Sequence, residues 1–97
     1  MRRKKLKLGE TEVHYTVTSD GSIILKSRQY YVNIDASEVS ILDDQRQEVF
    51  NLYPTSTKNT HRYIGEVNHE RIEGEDLYEV VVKGLLTYMD SINSVIE

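Results

Sequence analysis

Three side chains in the second half of the chain are of the kind that holds a metal ion: His61, Glu66 and His69. A tetrahedral site needs three or four converging ligands. Their spacing matches no helix-borne pair of the His-Glu-x-x-His kind, so the ordinary reading is solvated surface histidine. Carboxylates are numerous enough to supply an acid/base pair for hydrolysis. Such a pair needs a cleft and opposed pKa shifts, whereas acids in turns and at a helix start are usually solvated. No Gly-rich phosphate loop, nucleophile elbow or Ser/His/Asp constellation is readable. The chain has no Cys, which removes thiolate chemistry, disulfides and Cys-based zinc sites. The expectation is a protein that is not an enzyme, with no catalytic residue, no cofactor and no metal.

Charge is more informative than motif. The net charge is −4, from twelve bases and sixteen acids. Arg2, Arg3, Lys4, Lys5 and Lys7 place five of the bases in residues 1–8. That leaves seven bases against all sixteen acids, so the remaining body carries −9. The acids cluster along the chain. Residues 35–48 hold Asp35, Glu38, Asp43, Asp44 and Glu48 against Arg46 alone. Residues 66–79 hold Glu66, Glu70, Glu73, Glu75, Asp76 and Glu79 against Arg71 alone. An acidic body steers basic partners toward itself. A basic terminus binds phosphates by releasing counterions, although no basic stripe with interleaved aromatics accompanies it. The ordinary readings are a soluble acidic surface and a solubilising tail.

In size, absence of Cys and the two clusters Asp35–Glu48 and Glu66–Glu79, the chain resembles the small acidic proteins that lytic bacteriophages make during host takeover. These include DNA mimics that inhibit the bacterial histone-like protein HU. The resemblance implies a non-catalytic inhibitor that occludes a basic, nucleic-acid-binding host protein such as HU. The clustered carboxylates would then stand in for phosphates. Two other functions are open. One is a nucleic-acid-associated protein using Arg2, Arg3, Lys4, Lys5 and Lys7. The other is a toxin-neutralising immunity protein.

The elements that must carry these charges follow from periodicity. In Gly74–Glu97, a 100° step gathers Leu77, Tyr78, Val81, Val82, Leu85, Tyr88, Met89, Ile92, Val95 and Ile96 within about 140°. Glu79, Lys83, Thr87, Asp90, Ser94 and Glu97 fall opposite. Asp76 is a cap, with Glu79 placed to reach back. Gly84 costs such a helix about 1 kcal/mol, and Val80–Val82 suit a strand. A strand at Tyr78–Val82 followed by a helix is the second reading.

Alternation predicts strands at Glu12–Thr18, Ile23–Lys26 and Tyr30–Ile34, the last either a separate strand or a continuation of the second through a bulge near Ser27–Gln29. Further strands are expected at Glu38–Leu42, Glu48–Tyr53 and Arg62–Val67, with Pro54 ending the second of these. A helix over Ser37–Gln47 is the alternative for that region. Residues 1–8 read as a basic arm or an edge strand, and Asn68–Glu73 as an exposed connection. The fold expected is α+β: an antiparallel meander of five or six strands packed against one long C-terminal amphipathic helix, a single domain over residues 9–97. No apolar run approaches the roughly 20 residues of a membrane span. The start MRRKKLKLGE has no apolar core after its bases and is not a secretory signal. A cytoplasmic protein is expected.

Overall fold

The computed structural model describes residues 1–96, with side chains described through Asp90. The strands are β1 (Arg2–Leu8), β2 (Thr11–Val17), β3 (Ile23–Leu25) and β4 (Arg28–Ile34), then β5 (Val39–Leu42), β6 (Glu48–Ser56), β7 (His61–Val67) and β8 (Glu70–Gly74). Helix α1 (Leu77–Ile96) follows. Each strand pairs antiparallel with the next in chain order. The meander curls into a half-barrel, and α1 packs into its concave side.

The class is α+β, but with eight strands where five or six are expected. Arg2–Leu8 is a strand over its whole length, paired from Arg2↔Val17 to Leu8↔Thr11. Asn68–Glu73 is not a loose connection. Asn68 and His69 form a two-residue turn with φ of 52° and 67°, and β8 begins at Glu70. Only Ile72 is buried in β8, so the strand leaves almost no alternation to read. Lys26 and Ser27, at φ 51° and 64°, likewise turn the chain between β3 and β4 where a bulge was one option. Both pairs have the positive φ values of a type I′ hairpin turn, without the usual Gly.

Nor does Pro54 end β6, which continues to Ser56. The β5 ladder stops at Val39↔Leu52. Beyond that point β6 pairs only with β7, and a residue without an N–H is tolerated on a strand with one free side. Over Ser37–Gln47 the chain forms β5 and a tight turn, not a helix.

The N-terminus of α1 is capped by Asp76, whose carboxylate accepts the N–H of Tyr78 at 3.0 Å and of Glu79 at 3.2 Å. Val80, Val81 and Val82 are helical and fully buried. Three consecutive helical residues point across about 200°. A flat sheet cannot cover that arc; a curled one does. The buried arc is thus wider than the sequence suggests and takes in Val80 and Gly84.

Gly84 has a packing reason. A Cβ there would lie 2.5 Å from Cζ of Phe50 and 2.7 Å from Cδ1 of Ile72. Its cost in helix propensity is offset by the close approach of α1 to β6 and β8. The side chains of Ile92, Val95 and Ile96, and of Ser94 and Glu97 opposite, lie outside the described residues. Among the described residues, no helix is long and apolar enough to cross a membrane.

Candidate interaction site

A meander sends successive turns to alternate ends of the sheet, and this redistributes the acidic residues. At the end where α1 begins lie the β2–β3, β4–β5 and β6–β7 turns. The opposite end carries the β1–β2, β3–β4, β5–β6 and β7–β8 turns. Each cluster seen along the chain is therefore split. Asp35 and Glu38 go to the helix-start end, while Asp43, Asp44 and Glu48 go to the far end. Glu66 and Glu70 flank the β7–β8 turn at the far end, and Glu73, Glu75, Asp76 and Glu79 belong to the helix-start end.

Both ends carry bases among their acids: Lys26, Arg28, Arg46 and Arg71 at the far end, and Arg2, Lys58 and Arg62 at the helix-start end. Several groups at the far end are committed locally. Asp43 accepts the N–H of Gln45 and of Gln47, each at 2.9 Å. Glu48 accepts from Nδ2 of Asn51 at 2.6 Å. The Arg46 guanidinium lies 3.8 Å from the centre of the Tyr31 ring.

At the helix-start end the acids come from three separate stretches: Asp20, then Asp35 and Glu38, then Glu75, Asp76 and Glu79. Asp20, unremarked among the sequence candidates, joins them through the β2–β3 turn. Its only sequence signal was the Asp-Gly turn itself. The Asp20 carboxylate accepts from the Thr18 hydroxyl and from the N–H of Ser22. These bonds hold its carboxyl below the ordinary range, the Thr18 bond contributing most.

Tyr78 ties this turn to the helix start by donating its O–H to the carbonyl of Gly21 at 2.9 Å. Burial raises the Tyr78 phenol above its usual value, and the Asp20 charge adds to the rise. Burial likewise raises Tyr15, with Asp76 and Glu79 adding to it. Two phenols thus register the acids gathered here. Asp35 accepts the N–H of Ala36 at 2.8 Å. Among the described residues, Glu38, Glu75 and Glu79 make no side-chain hydrogen bond or ion pair. Glu73 is set apart, held by Arg62 at 3.1 Å and Arg71 at 2.9 Å.

The five bases of β1 are fixed in register. Alternation puts Arg3, Lys5 and Lys7 on the convex face, opposite Thr16, His14 and Glu12. His14 lies 3.1 Å from Glu12. His61 opens β7 and His69 lies beyond its other end, about 20 Å apart at strand rise. They cannot share an ion, although His69 and Glu66 stand 3.9 Å apart. Among the described residues, no three His, Asp or Glu side chains converge as a metal site.

What the arrangement offers is a charged rim at the helix-start end. Compared with protein-family models, curated proteins and solved structures, the chain matches none.

Proposed function

We propose that this chain is a non-catalytic interaction protein that occupies a basic, nucleic-acid-binding surface in place of nucleic acid. One observation carries this reading: the helix-start end gathers Asp20, Asp35, Glu38, Glu75, Asp76 and Glu79 from separate stretches of chain. Three of these acids are anchored by bonds to nearby backbone N–H groups, so their charges are held in place. Carboxylates fixed on a rigid frame suit a surface built for phosphates, because little ordering entropy is lost on contact. No single acid dominates such an interface, and its affinity falls with salt.

The test is release of a labelled DNA duplex from the histone-like protein HU, followed by fluorescence anisotropy at low salt. The protein is expected to displace the duplex. The triple variant Glu38→Lys, Glu75→Lys, Glu79→Lys is expected to lose displacement while keeping its fold by circular dichroism. Those three side chains make no described hydrogen bond or ion pair, so the fold is expected to survive their replacement. Retention of the duplex at every protein concentration would overturn HU as the partner, and an unimpaired triple variant would overturn the rim.

A second reading is favoured by β1 alone. Arg3, Lys5 and Lys7 are displayed on one face at two-residue steps, about 6.8 Å apart. Direct binding of nucleic acid would use them. A mobility shift at low salt, lost in Arg3→Ala, Lys5→Ala, Lys7→Ala and retained in the rim variant, would shift the function to this strand.

A further inference from the structure

β3 is too short for the strand it pairs with. Its ladder with β2 consists of Thr16↔Ile24 and Val17↔Ile23, after which the chain turns away at Lys26 and Ser27. Among the described residues, no strand pairs with Thr11–Tyr15 on the side away from β1. Alternate residues of that stretch therefore direct backbone N–H and C=O groups to an open edge inside the sheet.

A depression of about 460 Å³ follows this edge. Four consecutive β2 residues, Thr11, Glu12, Val13 and His14, line it. Consecutive strand residues point to opposite faces. A cavity touching all four runs along the edge of the strand and not over one face. Leu8, Leu25 and Leu86 supply apolar wall. A second depression, of about 490 Å³, adjoins it through the shared residues His14 and Lys26, and includes Arg3, Lys4 and Lys5.

We propose that this groove binds an extended acidic peptide by strand addition to β2. The free edge selects an extended backbone, the apolar wall takes an alternate side chain, and the basic depression takes carboxylates. Charge complementarity sets the polarity of the ligand. Glu12 lies in the apolar depression, so the acids of the peptide belong at the end nearer Lys26, Lys5 and Arg3. The added strand continues the line of β3 past Leu25. This site is separate from the acidic rim and does not rest on its function.

The experiment uses the full chain and a fluorescent, capped peptide of about seven residues, the length of a typical strand, in which Val alternates with Ser in the half that meets the apolar depression and with Glu in the half that meets Lys26. Two companions are N-methylated on alternate residues, one for each register. A third replaces Glu by Lys. The Val/Glu peptide is expected to bind at low salt at least about tenfold tighter than the Val/Lys peptide, a difference of about 1.4 kcal/mol. The N-methylated peptide that blocks the ladder is expected to lose binding, while the other retains it. Amide exchange at Thr11–Tyr15 is expected to slow on binding, and Lys26→Glu is expected to weaken binding about tenfold, the same 1.4 kcal/mol. Equal affinity of both N-methylated peptides, or unchanged exchange at Thr11–Tyr15, would overturn strand addition. A concentration-dependent dimer that protects these amides without peptide would assign the groove to a second copy and overturn the peptide.

Discussion

On the β6–β8 side of the half-barrel, α1 comes so close that Gly84 has no room for a methyl group beside Phe50 and Ile72. Leu52 fills the space over Gly65 in the same way, its Cδ2 2.6 Å from where a Cβ would stand. On the β1–β3 side the joint between β2 and β3 is two residue pairs long, and a depression opens beside it along β2. The first region is interlocked by shape. The second is held by a β1–β2 hairpin of seven pairs that reaches the rest of the sheet through a narrow junction. Stability is not uniform across such a molecule, and binding surfaces tend to draw on its less stable parts. A tightly fitted half leaves the other free to keep an unpaired edge.

Paired truncations probe this difference most strongly. Leu85 is fully buried on α1, next to the closely packed Gly84, and Leu8 is partly buried at the depression. Leu85→Ala is expected to cost about 2–5 kcal/mol, through lost burial and a cavity the packed surroundings cannot close. Leu8→Ala is expected to cost about 1 kcal/mol, since its site already borders open space. Urea denaturation of both variants measures the gap. Equal losses would mean the two halves are equally packed.

Gly84→Ala sharpens the same point with a sign. On an open helix the change gains about 1 kcal/mol. Here the new methyl meets Phe50 and Ile72, and overpacking of this kind costs about 1–3 kcal/mol. Net destabilisation is expected in the same denaturation experiment. A more stable variant would show that Phe50 yields and that the interlock is looser than its distances imply.

The helix was legible because two signals agreed: the Asp76 cap and the apolar face. Val80–Val82 obscured it, since strand-favouring residues are also what a curled sheet can wrap on a helix. β8 was hidden for a different reason. Its turn, Asn68-His69, lacks the Gly that marks most such hairpins, and its acids outweigh its one buried residue, Ile72. The acidic rim was half legible. Its residues are on the page, but only the alternation of turns assigns them to ends, and that requires the correct number of strands. An undetected β8 leaves the direction of α1 undetermined, and with it the end that receives Glu75, Asp76 and Glu79. The β2 groove left no sequence signal, because it arises from the brevity of β3.

High pH tests the buried phenols. Burial raises Tyr15 in β2, Tyr30 in β4 and Tyr78 in α1 above the ordinary value of 10.0. Below that value the phenols are protonated in both states and add no pH dependence. As pH rises past it, the unfolded chain ionises first and binds fewer protons than the folded one, so stability falls. A lower Tm at pH 11 than at pH 8 is expected, with the loss reduced in Tyr15→Phe. A Tm unchanged over this range would show that these phenols are no better shielded than in the unfolded chain.

The smallest expected effect compares the two Gly-free turns, one in each half. Lys26 and Ser27 both sit at positive φ, as do Asn68 and His69. Such a backbone strains an L-residue, although Asn tolerates it better than most. Lys26-Ser27 has no such residue, so its half bears more strain. Ser27→Gly removes the Cβ where φ is 64°, at the cost of a more flexible unfolded chain. The balance favours the folded state by about 0.5–1 kcal/mol, taking backbone strain at about 1–2 kcal/mol against the entropy of Gly. His69→Gly is expected to gain a similar amount, because its φ of 67° is nearly the same and the advantage of Asn68 applies to the other position. Lys26→Asn should then add a further gain of a few tenths of a kcal/mol, which Asn68 has already supplied in its own turn. Amide exchange locates the result. If Ser27→Gly slows exchange only in β3 and β4, the two halves open separately. If it slows exchange in β7 and β8 by the same factor, they open as one unit, and the narrow β2–β3 junction does not divide the molecule.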